Sequence, residues 1–147
     1  MVIRTLWLCK NNMFATSVSP LMRSYGISTV AITDPEKVYP YFRAIEADLI
    51  IIDANWDKDD HWGIAFLADL HQRIPDIKAI LVTTTLQNKL CKKLAEAGAR
   101  GYFYRNSRNI ENIVHCIRQV YSGELCFGET DPALTEAAIQ GHQAFPK

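Results

Sequence analysis

Two carboxylates bracket an unbroken apolar run at Asp48-Leu49-Ile50-Ile51-Ile52-Asp53. A carboxylate can serve as a base, a nucleophile or a hard-metal ligand, and its place in the fold decides among them. Four apolar residues without alternation read as a strand buried on both faces, as in the middle of a parallel sheet. Asp53 then stands where that strand emerges, and in open α/β sheets ligands bind at the carboxyl ends of the strands. It could instead cap the following turn, as many post-strand aspartates do. The functional reading is favoured because a strand-then-helix pattern repeats on both sides of it. The next stretch, Asn55-Trp56-Asp57-Lys58-Asp59-Asp60-His61-Trp62, is long, acidic and aromatic. The four cysteines, Cys9, Cys91, Cys116 and Cys126, form no CxxC pair and no Cys/His cluster. His115 adjoins Cys116, but neighbours on a helix point about 100° apart and share a site poorly. Zinc is not expected, and the thiols read as buried and reduced.

The elements that hold these residues follow from periodicity. Ile3 to Leu8 predicts a first strand, ending at Cys9-Lys10-Asn11-Asn12. Phe14, Val18, Leu21, Met22 and Tyr25 recur at helical spacing up to Gly26, with Pro20 expected to kink the helix. Ile27 to Ile32 gives a second strand. Asp34-Pro35-Glu36 starts a helix whose apolar face is Val38, Tyr41, Phe42 and Ile45, with Pro40 limiting its regularity. After the strand that ends at Asp53, Gly63 leads into a helix with Ile64, Leu67, Leu70 and Ile74 inward. Ile77 to Thr83 is a fourth strand. Leu86, Leu90, Leu94 and Ala97 carry a helix that Gly98 closes. Tyr102-Phe103-Tyr104 is a short fifth strand, and Ile110, Ile113, Val114, Ile117 and Tyr121 give the clearest amphipathic helix. Five strands alternating with five helices predict an α/β domain with a parallel sheet and helices on both faces.

The 147 residues suit one domain with a proper core, and residues 129–147 read as a linker or docking tail. Lys plus Arg equals Asp plus Glu, 16 each, so no overall charge draws the chain to nucleic acid or membranes. No apolar run reaches the ~18 residues of a bilayer span. Met1 to Leu8 is too short for a secretory signal and lacks a small-residue cleavage site, so a cytoplasmic location is expected.

Together these stretches resemble the receiver domain of two-component response regulators over residues 1–128. The nearest flavour is the LuxR-type (NarL/FixJ) subclass, whose receiver precedes a helix-turn-helix DNA-binding domain. The match lies in Phe14 to Met22, in Asp48 to Asp53, in Leu81-Val82-Thr83-Thr84 and in Val120-Tyr121-Ser122-Gly123-Glu124. Ala95-Glu96-Ala97-Gly98-Ala99-Arg100-Gly101-Tyr102 is its most specific part. The resemblance implies a flavodoxin-like, doubly wound five-stranded sheet in the order 2-1-3-4-5. It makes Asp53 the phosphoacceptor equivalent, Thr83 the switching hydroxyl and Tyr102 the rotating aromatic, each of the latter two with an ordinary packing role as alternative.

The departures are chemical. Two adjacent acids follow the family's first strand and hold magnesium; here Cys9 and Lys10 stand there. The family's phosphoryl-binding lysine corresponds to Arg105. The methionine-proline turn after the aspartate is absent, and the stretch from Asp53 to Gly63 is about two residues longer than usual. Magnesium requires oxygen ligands, which a thiol and an ammonium do not supply. The loop acids Asp57, Asp59 and Asp60 could replace them, or form a solvated loop with a helix cap among them. Trp56 and Trp62 flank that loop and could cover the pocket or meet a partner. Lys10 and Arg105 are expected to edge the pocket of Asp53 and supply the positive charge an ion would bring.

The expectation is a degenerate pseudo-receiver that is not an enzyme, holds no cofactor and has lost its magnesium site. It would act through homodimerisation or docking to another regulator, reaching DNA through an additional domain. The dimer face would be the first and last helices, or the penultimate helix with the fifth strand and the last helix. The alternative is a phosphorylatable receiver that takes a phosphoryl group on Asp53 from a histidine kinase. A third class, a ligand or oxidation sensor using Cys9, ranks last.

Overall fold

Apolar runs buried on both faces and short glycine stops build the sheet. The computed structural model describes residues 2–53, 62–83, 92–93, 95–104 and 110–126, with the backbone alone of Thr83 and Tyr104. Among these, the strands are β1 (Ile3–Leu8), β2 (Ile27–Ile32), β3 (Leu49–Asp53), β4 (Ala79–Thr83) and β5 (Gly101–Tyr104). They pair in parallel in the order β2-β1-β3-β4-β5. This is the flavodoxin-like, doubly wound α/β architecture expected. Leu49 to Ile52 are fully buried, because the strand is central and both of its faces are covered.

Alternation along the strands splits the core into two layers. Leu6, Leu8, Ile50, Ile52 and Leu81 pack with Val38 of α2 (Val38–Ala44) and with Leu67 and Leu70 of α3 (Trp62–Arg73). Trp7, Leu49, Ile51, Ile80 and Val82 pack on the other face with Ala15 and Met22 of α1 (Met13–Ser24). Ile113, Val114 and Ile117 of the last helix, α4 (Ile110–Tyr121), complete that layer. Most inward residues are those the periodicity picked. Two are corrected: Leu21 and Tyr41 are exposed, at the margins of stripes whose centres are Ala15 and Met22 in α1 and Val38 in α2.

Helix α1 runs unbroken through Pro20. The carbonyl that proline deprives of a bond belongs to Thr16, which is exposed and open to water. Asp34 starts its helix as expected, its Oδ1 accepting from the Glu36 N–H at 3.0 Å, but the first turn is a 3₁₀ turn (Pro35–Lys37). Residues 92–93 and 95–96 are helical and lead to Gly98, which takes φ +99°. Leu86, Leu90 and Leu94 lie outside the described residues, as do residues 129–147. One feature goes beyond the expectation: Cys126 forms a parallel bridge with Gly101, adding a short rung outside β5.

Candidate functional site

Parallel pairing brings the carboxyl ends of β1, β3, β4 and β5 to one edge of the sheet. Leu8 pairs with Ile52, Asp53 with Val82 and Thr83 with Tyr104. Asp53 thus closes the central strand between the ends of β1 and β4. Burial falls from complete at Ile52 to partial at Asp53, whose backbone stays in the sheet. A carboxylate so placed can accept a cation, a hydrogen bond or an electrophilic phosphorus, and its neighbours select among them.

Those neighbours begin with Cys9 and Lys10. The Cys9 N–H donates to the Ile32 carbonyl at 3.0 Å, extending the β1–β2 pairing. Its thiol donates to the same carbonyl at 3.8 Å and is 2% exposed, packed in the layer that holds Trp7 and Ala15. Cys9 is therefore part of the core beneath the edge. Lys10 follows at an exposed position. Asn11 then opens α1, its Oδ1 accepting from the Met13 N–H at 2.9 Å.

Tyr102 is 1% exposed, in the layer with Leu81, Ala95, Ala97 and Ala99. Its ring occupies the core, and its N–H donates to the Cys126 carbonyl at 2.9 Å. Trp62 is half-buried at the head of α3 and stacks on Phe66, with ring centroids 5.0 Å apart. Arg105, Trp56, Asp57, Asp59 and Asp60 lie outside the described residues, as does the side chain of Thr83.

Sequence reasoning passed over Trp7. Its ring meets Phe14 edge-on at 5.7 Å and Phe103 edge-on at 6.4 Å, bracing β1, α1 and β5 just below the candidate site. The signal was a bulky aromatic two residues before Cys9. The Cys126 rung was also missed; its signal was the apolar triplet Leu125-Cys126-Phe127 after Gly123.

A family model described as the response regulator receiver domain matches residues 11–118. The chain is 25% identical over 125 residues to the response regulator GacA of Pseudomonas aeruginosa, covering 84% of this chain and 57% of that protein. It thus spans little more than half the length of that relative. Two solved structures share the fold. One is a two-component response regulator of the LuxR family from Aurantimonas sp. SI85-9A1, with TM-score 0.77, 19% identity and coverage of 95% of this chain and 97% of that one. The other is the isolated REC domain of RcsB from Salmonella enterica with the phosphomimetic BeF3−, with TM-score 0.72, 11% identity and coverage of 93% and 99%.

Proposed function

This chain belongs to the response regulator receiver domain family, and from that membership we propose that it signals through protein contacts rather than through magnesium-dependent phosphorylation. The observation that carries this reading is the end of β1, where the family places two acids. There the chain has a thiol committed to the core and an exposed ammonium. Magnesium needs several oxygen ligands in near-octahedral order, and the side chains of Cys9 and Lys10 offer none to join Asp53. Without a divalent cation, the anionic oxygens of a phosphodonor and the Asp53 carboxylate would repel one another unscreened.

On this reading, Lys10 and Arg105 supply the positive charge around Asp53, and assembly replaces phosphorylation as the active state. Its partners are a second copy of the chain or another regulator, and DNA is reached through an additional domain, in the cytoplasm. Exposed Met13 and Leu21 on α1 support a partner on that helix. Among the described residues no helix is long and apolar enough to cross a membrane.

A second reading keeps phosphotransfer from a histidine kinase. The half-buried placement of Asp53 at the end of β3, where the resemblance puts the phosphoacceptor, favours it. One experiment separates the two. Magnesium is titrated into the low millimolar range while tryptophan fluorescence is followed, and a small phosphodonor such as acetyl phosphate is then added with a phosphate label. The expected result is an unchanged spectrum and no label. A saturable change with magnesium-dependent labelling, both lost in Asp53→Ala, would establish the second reading.

A further inference from the structure

Ten residues apart in sequence, Cys116 and Cys126 are brought into contact by the fold. The Cys116 thiol donates to the Cys126 carbonyl oxygen at 3.5 Å. Both are reduced and buried, at 0% and 6% exposure, in the same core layer. They sit on different elements. Cys116 is in the middle of α4, and Cys126 forms the rung outside β5, its N–H donating to the Arg100 carbonyl and its carbonyl accepting from the Tyr102 N–H, both at 2.9 Å. The rung is closely seated: a Cβ on Gly101 would lie 3.1 Å from the Cys126 oxygen and 3.0 Å from Val120. Packed elements therefore hold the Cys116 sulfur against Cys126 within one core layer, and little chain ordering remains for a bond to demand.

We propose that Cys116 and Cys126 form a reversible intrachain disulfide, made by exchange with a low-molecular-weight disulfide, that locks the chain leaving the domain onto α4 and the edge of β5. This holds whether or not Asp53 is phosphorylated. Cys126 is the more exposed and sits on a single short rung rather than inside a helix, so it reacts first. As thiolate it attacks one sulfur of glutathione disulfide, and one glutathione leaves and takes up a proton. Cys116 then gives up its proton and attacks the Cys126 sulfur of the mixed disulfide, expelling the second glutathione. Two protein thiols lose two electrons and two protons, and one glutathione disulfide becomes two glutathiones. The Cys116 thiol keeps its proton until that second step: its hydrogen bond to Cys126, then burial, hold its pKa well above the ordinary value. The bond ties the exit segment to α4 beside Tyr102 of β5, and makes the geometry of whatever follows Cys126 dependent on redox state.

The test uses the full chain in glutathione disulfide, quenched with acid, alkylated and mapped by peptide mass spectrometry. The expected product has lost two hydrogens, links the Cys116 and Cys126 peptides, and reverts with dithiothreitol. Its unfolding in urea is slower than that of the reduced chain by about tenfold or more. Cys116→Ala should stop at a mixed disulfide on Cys126. Should that variant not fold, the map of the parent decides alone. A bond to Cys9 or Cys91, a stable mixed disulfide in the parent, or unmodified thiols at a strongly oxidising ratio would each overturn the proposal.

Discussion

Gly98 meets two demands at once. Its backbone takes φ +99°, where a side chain is strained, and a Cβ there would lie 2.2 Å from Nε2 of His71. Swinging the imidazole away would break a polar contact, since Nδ1 lies 3.2 Å from the Pro75 carbonyl and Nε2 3.3 Å from the Gly98 carbonyl, and the ring N–H donates to one of them. Gly98→Ala should therefore lose backbone and packing terms together, about 2–4 kcal/mol in urea unfolding. Gly123 provides the comparison: φ is +97°, but nothing lies within 4 Å of its Cβ position. Gly123→Ala should cost only the backbone part, about 1–2 kcal/mol. Equal losses at the two sites would show that His71 yields freely. Cys116 gives a second test at this scale. Hydrogen bonding to the Cys126 side chain and burial raise its pKa well above the ordinary 9.0. The folded protein then keeps a proton that the unfolded chain releases, so the stabilisation is present below pH 9.0 and lost as pH rises above it. The parent should fall relative to Cys116→Ala by about 1.4 kcal/mol per pH unit above that point, with both proteins reduced. Parallel stability profiles would contradict the assignment.

Among the elements, α4 had the plainest sequence pattern, and its ends were the least legible part of it. Ile113, Val114 and Ile117 face the sheet as their spacing predicts, while Cys116 and Val120 widen the buried stripe. The wider stripe comes from packing against two neighbours, the sheet and α1, which one helical period cannot announce. The attachments are polar and distant in sequence. Lys78, just before β4, donates from Nζ to the Tyr121 carbonyl at 2.7 Å and lies over the Tyr121 ring. Arg118 donates to the Tyr25 carbonyl at 2.9 Å beyond the end of α1. A cation on the last carbonyls of a helix satisfies an acceptor and opposes the helix dipole. Lys78→Met keeps the apolar stem and removes both effects, so it should destabilise by about 1 kcal/mol in urea melts. A neutral result would mean that water replaces the ammonium without cost.

For the whole molecule, association is the property that the proposed function needs. Met13 and Leu21 are 72% and 54% exposed on α1, whose one charged residue is Arg23. A two-fold interface sets a surface against its own copy, and a nearly uncharged face carrying two exposed apolar side chains does so without like-charge repulsion. Sedimentation of the untreated chain should show self-association that rises with concentration. Leu21→Glu should weaken it by about tenfold or more in Kd while leaving the monomer folded. An unchanged dimer in that variant would move the interface to the other expected face. A strict monomer in the parent would point to another regulator as the partner.

Local rules determined much of this molecule. Unbroken apolar runs marked the central strands, helical spacing marked the inward faces, and Gly26 and Gly98 marked helix ends, because each depends on burial or dihedral preference a few residues at a time. The family likeness of Ala95 to Tyr102 also has a physical content: Gly98 needs its left-handed backbone, and Gly101 leaves room for Ile80, Val120 and Cys126. Burial of Cys9 was expected from the sequence, but only the tertiary structure set its thiol against the Ile32 carbonyl, since a residue just past a strand can turn either way. It alone set Trp7 between Phe14 and Phe103, and Cys116 against Cys126. Those contacts join residues from separate elements, and the positions that meet are chosen by sheet order and register, which no single segment encodes.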